Sequence, residues 1–153
     1  MNRPVVVYPA FLLLLAAVAS SGAFFPPGDW YAGIAKPSWT PPNWLFGPVW
    51  TLLYVFIAVA GARVWLRVPA GERGRPFTPY FIQLALNALW SALFFGLHMP
   101  WVAFGELLLL AVFIVCTILS FRERDHVAAW LLVPYLAWVL FAGALNLAIA
   151  VLN

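Results

Sequence analysis

The chain is 153 residues long, 65% hydrophobic and 8% charged, with a formal net charge of +3. Soluble domains carry roughly 25% charged residues, and an apolar surplus of this size cannot be buried inside so short a chain, so lipid must solvate most of it. The arginines flank apolar runs rather than forming a patch, which argues against nucleic acid as a partner, and the single cysteine, Cys116, rules out an internal disulfide and a Cys-based metal site.

Five apolar segments are long enough to cross a bilayer, which takes about 20 residues. They predict an all-α integral membrane protein, a five-transmembrane-helix bundle in one domain covering 1–153. The first segment is 5–25. Arg3 before it and Ala17-Val18-Ala19 within it resemble a secretory signal, but the apolar run continues beyond them and a retained helix is expected. The second is 44–66, the third 79–97, the fourth 101–121 and the fifth 127–152. Cys116, inside the fourth, reads as a structural filler. His98-Met99-Pro100 makes an antiparallel hairpin of the third and fourth. Helices are the expected form throughout, since open strands leave backbone groups unpaired in lipid.

Between the first two segments lies a loop rich in tryptophan and proline. Pro37, Pro41 and Pro42 push their preceding residues out of the α region. Rigid turns, aromatic faces and the lone cation Lys36 make it a lid for a flat, apolar, partly anionic ligand; an interfacial aromatic belt is the plainer alternative. With five crossings, Arg3, Arg67, Arg73, Arg75, Arg122 and Arg124 share one side and Lys36 the other, so the N-terminus is expected in the cytoplasm.

Three helix faces carry polar or aromatic groups. Gln83, Asn87, Trp90 and Phe94 recur at helical spacing, Trp50 and Tyr54 share a face with Ala58 and Gly61, and Trp138, Ala142 and Asn146 follow at i, i+4 and i+8. At 1.5 Å per residue, Trp50, Trp90 and Asn87 lie about 9, 10 and 15 Å below the loop-side surface. A pocket beneath the loop, apolar with a few polar groups, explains the coincidence; the amides alone would also serve as interhelical glue. Glu106 is the one acid inside a span, expected to pair with Lys36 or His98. His98 has no second ligand beside it, so no metal is expected. Ala88, Ala92 and Gly96 form a small-residue row that fits packing within a monomer and contact in a dimer equally well.

Trp30–Tyr54, Gln83–Gly96, Trp101 with Glu106, and Val133–Asn146, four segments in order, closely resemble the translocator protein family, also called tryptophan-rich sensory protein or peripheral-type benzodiazepine receptor (TspO), in its bacterial-type form. The resemblance implies a receptor or transport protein of a bacterial cell membrane. It implies a homodimer that binds protoporphyrin IX or haem as ligand, with no required cofactor, and synthetic benzodiazepine-type ligands in the same pocket. The pocket residues it carries over are Tyr31, Pro41, Trp50, Asn87, Trp138 and Ala142; the helix faces add Tyr54, Trp90 and Asn146. In some bacterial members a light-dependent breakdown of protoporphyrin is attributed to two tryptophans, matched here by Trp30 and Trp138, which makes an enzyme the second hypothesis. A lipid- or sterol-binding scaffold whose tryptophans form only an interfacial belt is the third; tryptophan clusters that favour the loop side and the bundle interior count against it, and residues 147–153 contain neither the tyrosine nor the basic residue of the animal members' sterol motif.

Overall fold

The computed structural model describes residues 3–153 and is all-helical, with no strand among those residues. The elements are α1 (Pro4–Phe24), α2 (Asp29–Gly33), α3 (Asn43–Arg67), α4 (Gly74–Ser91), α5 (Pro100–Arg122), α6 (His126–Leu131) and α7 (Val133–Leu152). A single 3₁₀ turn, Ala70–Glu72, precedes α4, and a π-helical turn, Ala92–Gly96, extends it.

Among the described residues, four helices are long and apolar enough to cross a membrane: Pro4–Phe24, Asn43–Arg67, Pro100–Arg122 and the joined α6–α7 rod, His126–Leu152. The expected crossing at 79–97 is not among them. Its rod begins earlier, at Gly74, and carries the exposed Arg75 and Thr78 in its first turns and Gln83, Asn87 and Ser91 beyond them, so its lower apolarity follows from an exposed polar start and from amides turned inward: Gln83 is 1% and Asn87 6% exposed. The π turn then ends it, Leu97 N–H reaching the Ala92 carbonyl at 2.8 Å. His98 takes the left-handed conformation with φ 54°, and Pro100 opens α5 rather than belonging to the hairpin turn. The α6–α7 break is a tightening of one rod at Leu132, two residues before Pro134, whose missing N–H removes a helical bond.

Helix α3 packs against α1, and its middle is a run of small residues, Ala58, Ala60, Gly61 and Ala62, all buried. Gly61 sits where Phe11 and Tyr80 converge; a Cβ there would lie 2.5 Å from the Tyr80 hydroxyl and 2.7 Å from the Phe11 ring. Tyr80 in turn donates to the Ile57 carbonyl at 2.9 Å and stacks on Phe121 at 5.5 Å. With Phe77 and Trp65 these rings fill the arginine end of the bundle. At the same end, Asp125 caps α6, accepting from the Val127 and Ala128 N–H groups, and meets Arg63 at 2.9 Å and Arg67 at 3.1 Å. The buried carboxylate and its two partly exposed arginines join the end of α3 to the start of α6.

Aromatic residues are therefore not confined to the loop side. Trp44 and Trp101 are 72% and 59% exposed at one end and Trp130 is 71% exposed at the other, the two-sided distribution of an interfacial belt. Cys116 is exposed rather than packed.

Candidate functional site

A cavity of about 340 Å³ opens under the loop, between the end of α1, the first half of α3, the last turns of α4 and the middle of α7. Of the expected residues, Tyr31, Trp50, Tyr54, Asn87, Trp90, Trp138, Ala142 and Asn146 all line it. Those on α3, α4 and α7 meet because the faces predicted from helical spacing turn inward, and Tyr31 joins them from α2. Pro41 and Trp30 do not line it. Pro41 is half-buried in the loop; Trp30 lies flat on His98, rings 4.4 Å apart and 9° from parallel, with its other contact edge-on to Phe94 at 5.5 Å.

The walls are mostly rings. Trp50 stacks on Tyr54 at 5.5 Å, Trp90 stacks on Phe94 at 5.1 Å, and Trp138 meets Phe46 edge-on at 5.8 Å. The indole nitrogen of Trp138 is buried and without a hydrogen-bond partner among the described residues, so Trp138 adds ring surface to the wall and keeps an unspent N–H donor. Residues that sequence reasoning missed complete the walls: Gly22, Phe25 and Pro27 around the end of α1, Phe46 on α3, and Leu107 and Leu110 on α5. Only the position of Phe46, four residues before Trp50, carried a signal, through helical spacing.

The polar groups are already joined to one another. Tyr54 Oη donates to Asn87 Oδ1 at 2.9 Å, Asn87 Nδ2 donates to Tyr135 Oη at 2.9 Å, and Tyr135 Oη donates to Gln83 Oε1 at 2.7 Å. This relay stitches α3, α4 and α7 behind the cavity. Separately, Trp90 Nε1 donates to Asn146 Oδ1 at 3.0 Å, and Asn146 Nδ2 donates to the Pro100 carbonyl at 2.7 Å. The amides thus act as interhelical ties and also as cavity wall. Tyr135, fully buried, is the hub that the sequence did not single out.

Glu106 is not paired with Lys36 or His98. Its carboxylate oxygens are buried and have no hydrogen-bond partner among the described residues, while His98 is stacked on Trp30. Lys36 Nζ donates to the carbonyls of Tyr31 at 2.6 Å and Ile34 at 3.2 Å and sits 4.8 Å from the centre of the Tyr31 ring. Its charge caps the end of α2 and does not project into the cavity as the lid reading had it. Burial raises the Tyr31 phenol above its ordinary range, so it is neutral where it faces the cavity. In the small-residue row, Ala88 and Ala92 are half-buried. A Cβ on Gly96 would lie 2.7 Å from the Phe25 ring, so this glycine serves a contact within the chain.

The sequence profile of the TspO/MBR family matches residues 10–152. The chain is 43% identical over 152 residues to the tryptophan-rich protein TspO of Archaeoglobus fulgidus, covering 94% of this chain and 95% of that protein. It is 35% identical to the tryptophan-rich sensory protein of Cereibacter sphaeroides, covering 95% and 90%, and 36% identical to the translocator protein of Bos taurus, covering 95% and 89%. With four long apolar helices, a cavity beneath a tryptophan-rich loop and a match over nearly its whole length, the chain is a multi-pass membrane protein belonging to the TspO/MBR family.

Proposed function

We propose that the protein is a membrane receptor or transporter for flat, largely apolar tetrapyrroles such as protoporphyrin IX and haem, with a sensory or regulatory role, and that benzodiazepine-type ligands enter the same cavity. The observation that carries this reading is a cavity of about 340 Å³ walled by the rings of Trp50, Trp90 and Trp138, in which Tyr54 is bonded to Asn87 and Trp90 to Asn146. Such a surface gains most from a broad aromatic ligand and least from a small polar one. The names of the relatives, which speak of sensing and translocation, support it.

The photochemical alternative is supported on one side only, since Trp138 lines the cavity while Trp30 is spent on His98; binding without turnover is the better reading. The same reading takes α4 with its π turn as a fifth crossing and puts the N-terminus in the cytoplasm of a bacterial cell, because the arginines gather at one end. Titration with protoporphyrin IX and with haemin, followed by tryptophan fluorescence, tests it. Saturable quenching is expected, weakened roughly tenfold or more by Trp138→Ala and abolished by Ala142→Phe. Equal quenching of all three proteins would move the site elsewhere. Steady loss of porphyrin absorption under light, dependent on Trp138, would restore the enzymatic reading.

A further inference from the structure

The roof of the cavity is tied down at two neighbouring residues, and neither tie touches the cavity. Lys36 Nζ is spent on the carbonyls at the end of α2, those of Tyr31 and Ile34, and lies against the Tyr31 ring. A lysine in this position satisfies carbonyls that a helix leaves unpaired at its C-terminal end. The α2 helix is one turn long and would not persist by its own hydrogen bonding. Tyr31, 5% exposed, is the residue of that turn that lines the cavity.

One residue earlier, the Asn153 side chain grips the loop backbone at both its polar groups. The Ala35 N–H donates to Asn153 Oδ1 at 3.0 Å, and Asn153 Nδ2 donates to the Ala35 carbonyl at 2.8 Å. The same nitrogen also donates to the Ile149 carbonyl at 2.8 Å, which fixes the side chain against α7. The pattern is that of a paired strand residue made by an amide side chain. It fastens an exposed loop residue to the helix whose inner face carries Trp138, Ala142 and Asn146.

We propose that Asn153 and Lys36 are positioning residues that form a two-part latch on the cavity. Lys36 keeps the turn carrying Tyr31 folded, and Asn153 holds the adjoining loop to α7, so that ligand exchange requires the latch to open. The inference that a ligand uses this opening rests on the tetrapyrrole reading, whereas the latch itself is a statement about access.

Access can be measured without that ligand. In a Cys116→Ala background, Ser91→Cys places a near-isosteric thiol on the cavity wall. Its labelling by a water-soluble maleimide reports opening of the roof. Asn153→Ala and Lys36→Met should each speed labelling roughly tenfold, the shift expected when the roof loses two hydrogen bonds, those of Asn153 to Ala35 or those of Lys36 to Tyr31 and Ile34. The two variants should also speed both association and dissociation of protoporphyrin IX and leave its Kd nearly constant. A thiol at Ala58, 1% exposed, one helical turn beyond Tyr54 and not itself part of the cavity lining, controls for general loosening. Unchanged labelling of Ser91→Cys in both variants would overturn the latch, as would labelling of Ala58→Cys that accelerates in parallel. A parent protein that fails to bind protoporphyrin IX would overturn the ligand reading alone, and the labelling would still decide the latch.

Discussion

Tyr135→Phe isolates the hydrogen-bond hub behind the cavity. The substitution keeps the ring and removes one oxygen that accepts from Asn87 Nδ2 at 2.9 Å and donates to Gln83 Oε1 at 2.7 Å. Tyr135 is 0% exposed and Gln83 1%, so water does not replace either bond. Gln83 suffers most, because its Nε2 already lacks a partner among the described residues and its Oε1 would lose the one it has. Interhelical hydrogen bonds in membranes are worth about 0.6 kcal/mol on average and up to about 1.7, so two of them give a loss of about 1–3 kcal/mol. Orphaning buried groups pushes toward the upper end. Tyr54→Phe removes a single donor beside the cavity and should cost about half as much. The assay is reversible unfolding of the purified protein in mixed micelles, followed by far-UV circular dichroism. Gln83→Leu and the Gln83→Leu/Tyr135→Phe double variant complete a cycle whose coupling energy should exceed about 0.5 kcal/mol. If Tyr135→Phe is within about 0.5 kcal/mol of wild type, or the cycle is additive, the relay does not hold the helices together.

Gly61→Ala should destabilise by about 1–3 kcal/mol, because the added methyl meets two packed rings rather than a flexible chain end; the same unfolding assay checks it, and Gly105→Ala, with open space around its Cα, is the neutral comparison. Asp125 is subject to opposing influences. Burial alone would raise its carboxyl, but the hydrogen bonds from Arg63 and the Ala128 N–H and the Arg63 and Arg67 charges outweigh it and hold the carboxyl below its usual range. Its contribution to stability is therefore complete above the unfolded carboxyl value of about 3.9 and is lost as pH falls through the lower folded value. Asp125→Asn should lower stability at neutral pH and flatten the acid limb below about pH 4 in a stability–pH profile. Gly96→Leu should displace Phe25 from the cavity rim and alter protoporphyrin quenching, whereas a change in particle size alone, by light scattering, would assign the row to a contact between copies.

The membrane setting, the positions of four long apolar helices and the inward faces of α3, α4 and α7 were legible in the sequence, since hydropathy and the 3.6-residue repeat are local properties; the crossing expected at 79–97 was not among the four. Eight of the expected residues consequently fall on one cavity. What the sequence left open is the pairing of groups remote along the chain, which depends on helix rotation, tilt and rotamer together. Asn87 was readable as a buried amide, but its bond to Tyr135 spans 48 positions, and the Asn153–Ala35 tie spans 118. Trp30 and Trp138 are the same residue type in equally aromatic segments. The left-handed turn at His98 brings an imidazole flat against Trp30, leaving only Trp138 on the cavity wall. Lys36 reads in one dimension as a free cation at a membrane boundary; folded, its nearest acceptors are the carbonyls at the end of the turn just before it, and a short ammonium bond to them is available without a ligand. Local periodicity settled which residues turn inward, and only the tertiary structure decided which of them remain available to a ligand, because a polar group bonded to its neighbour across the bundle has less left to offer.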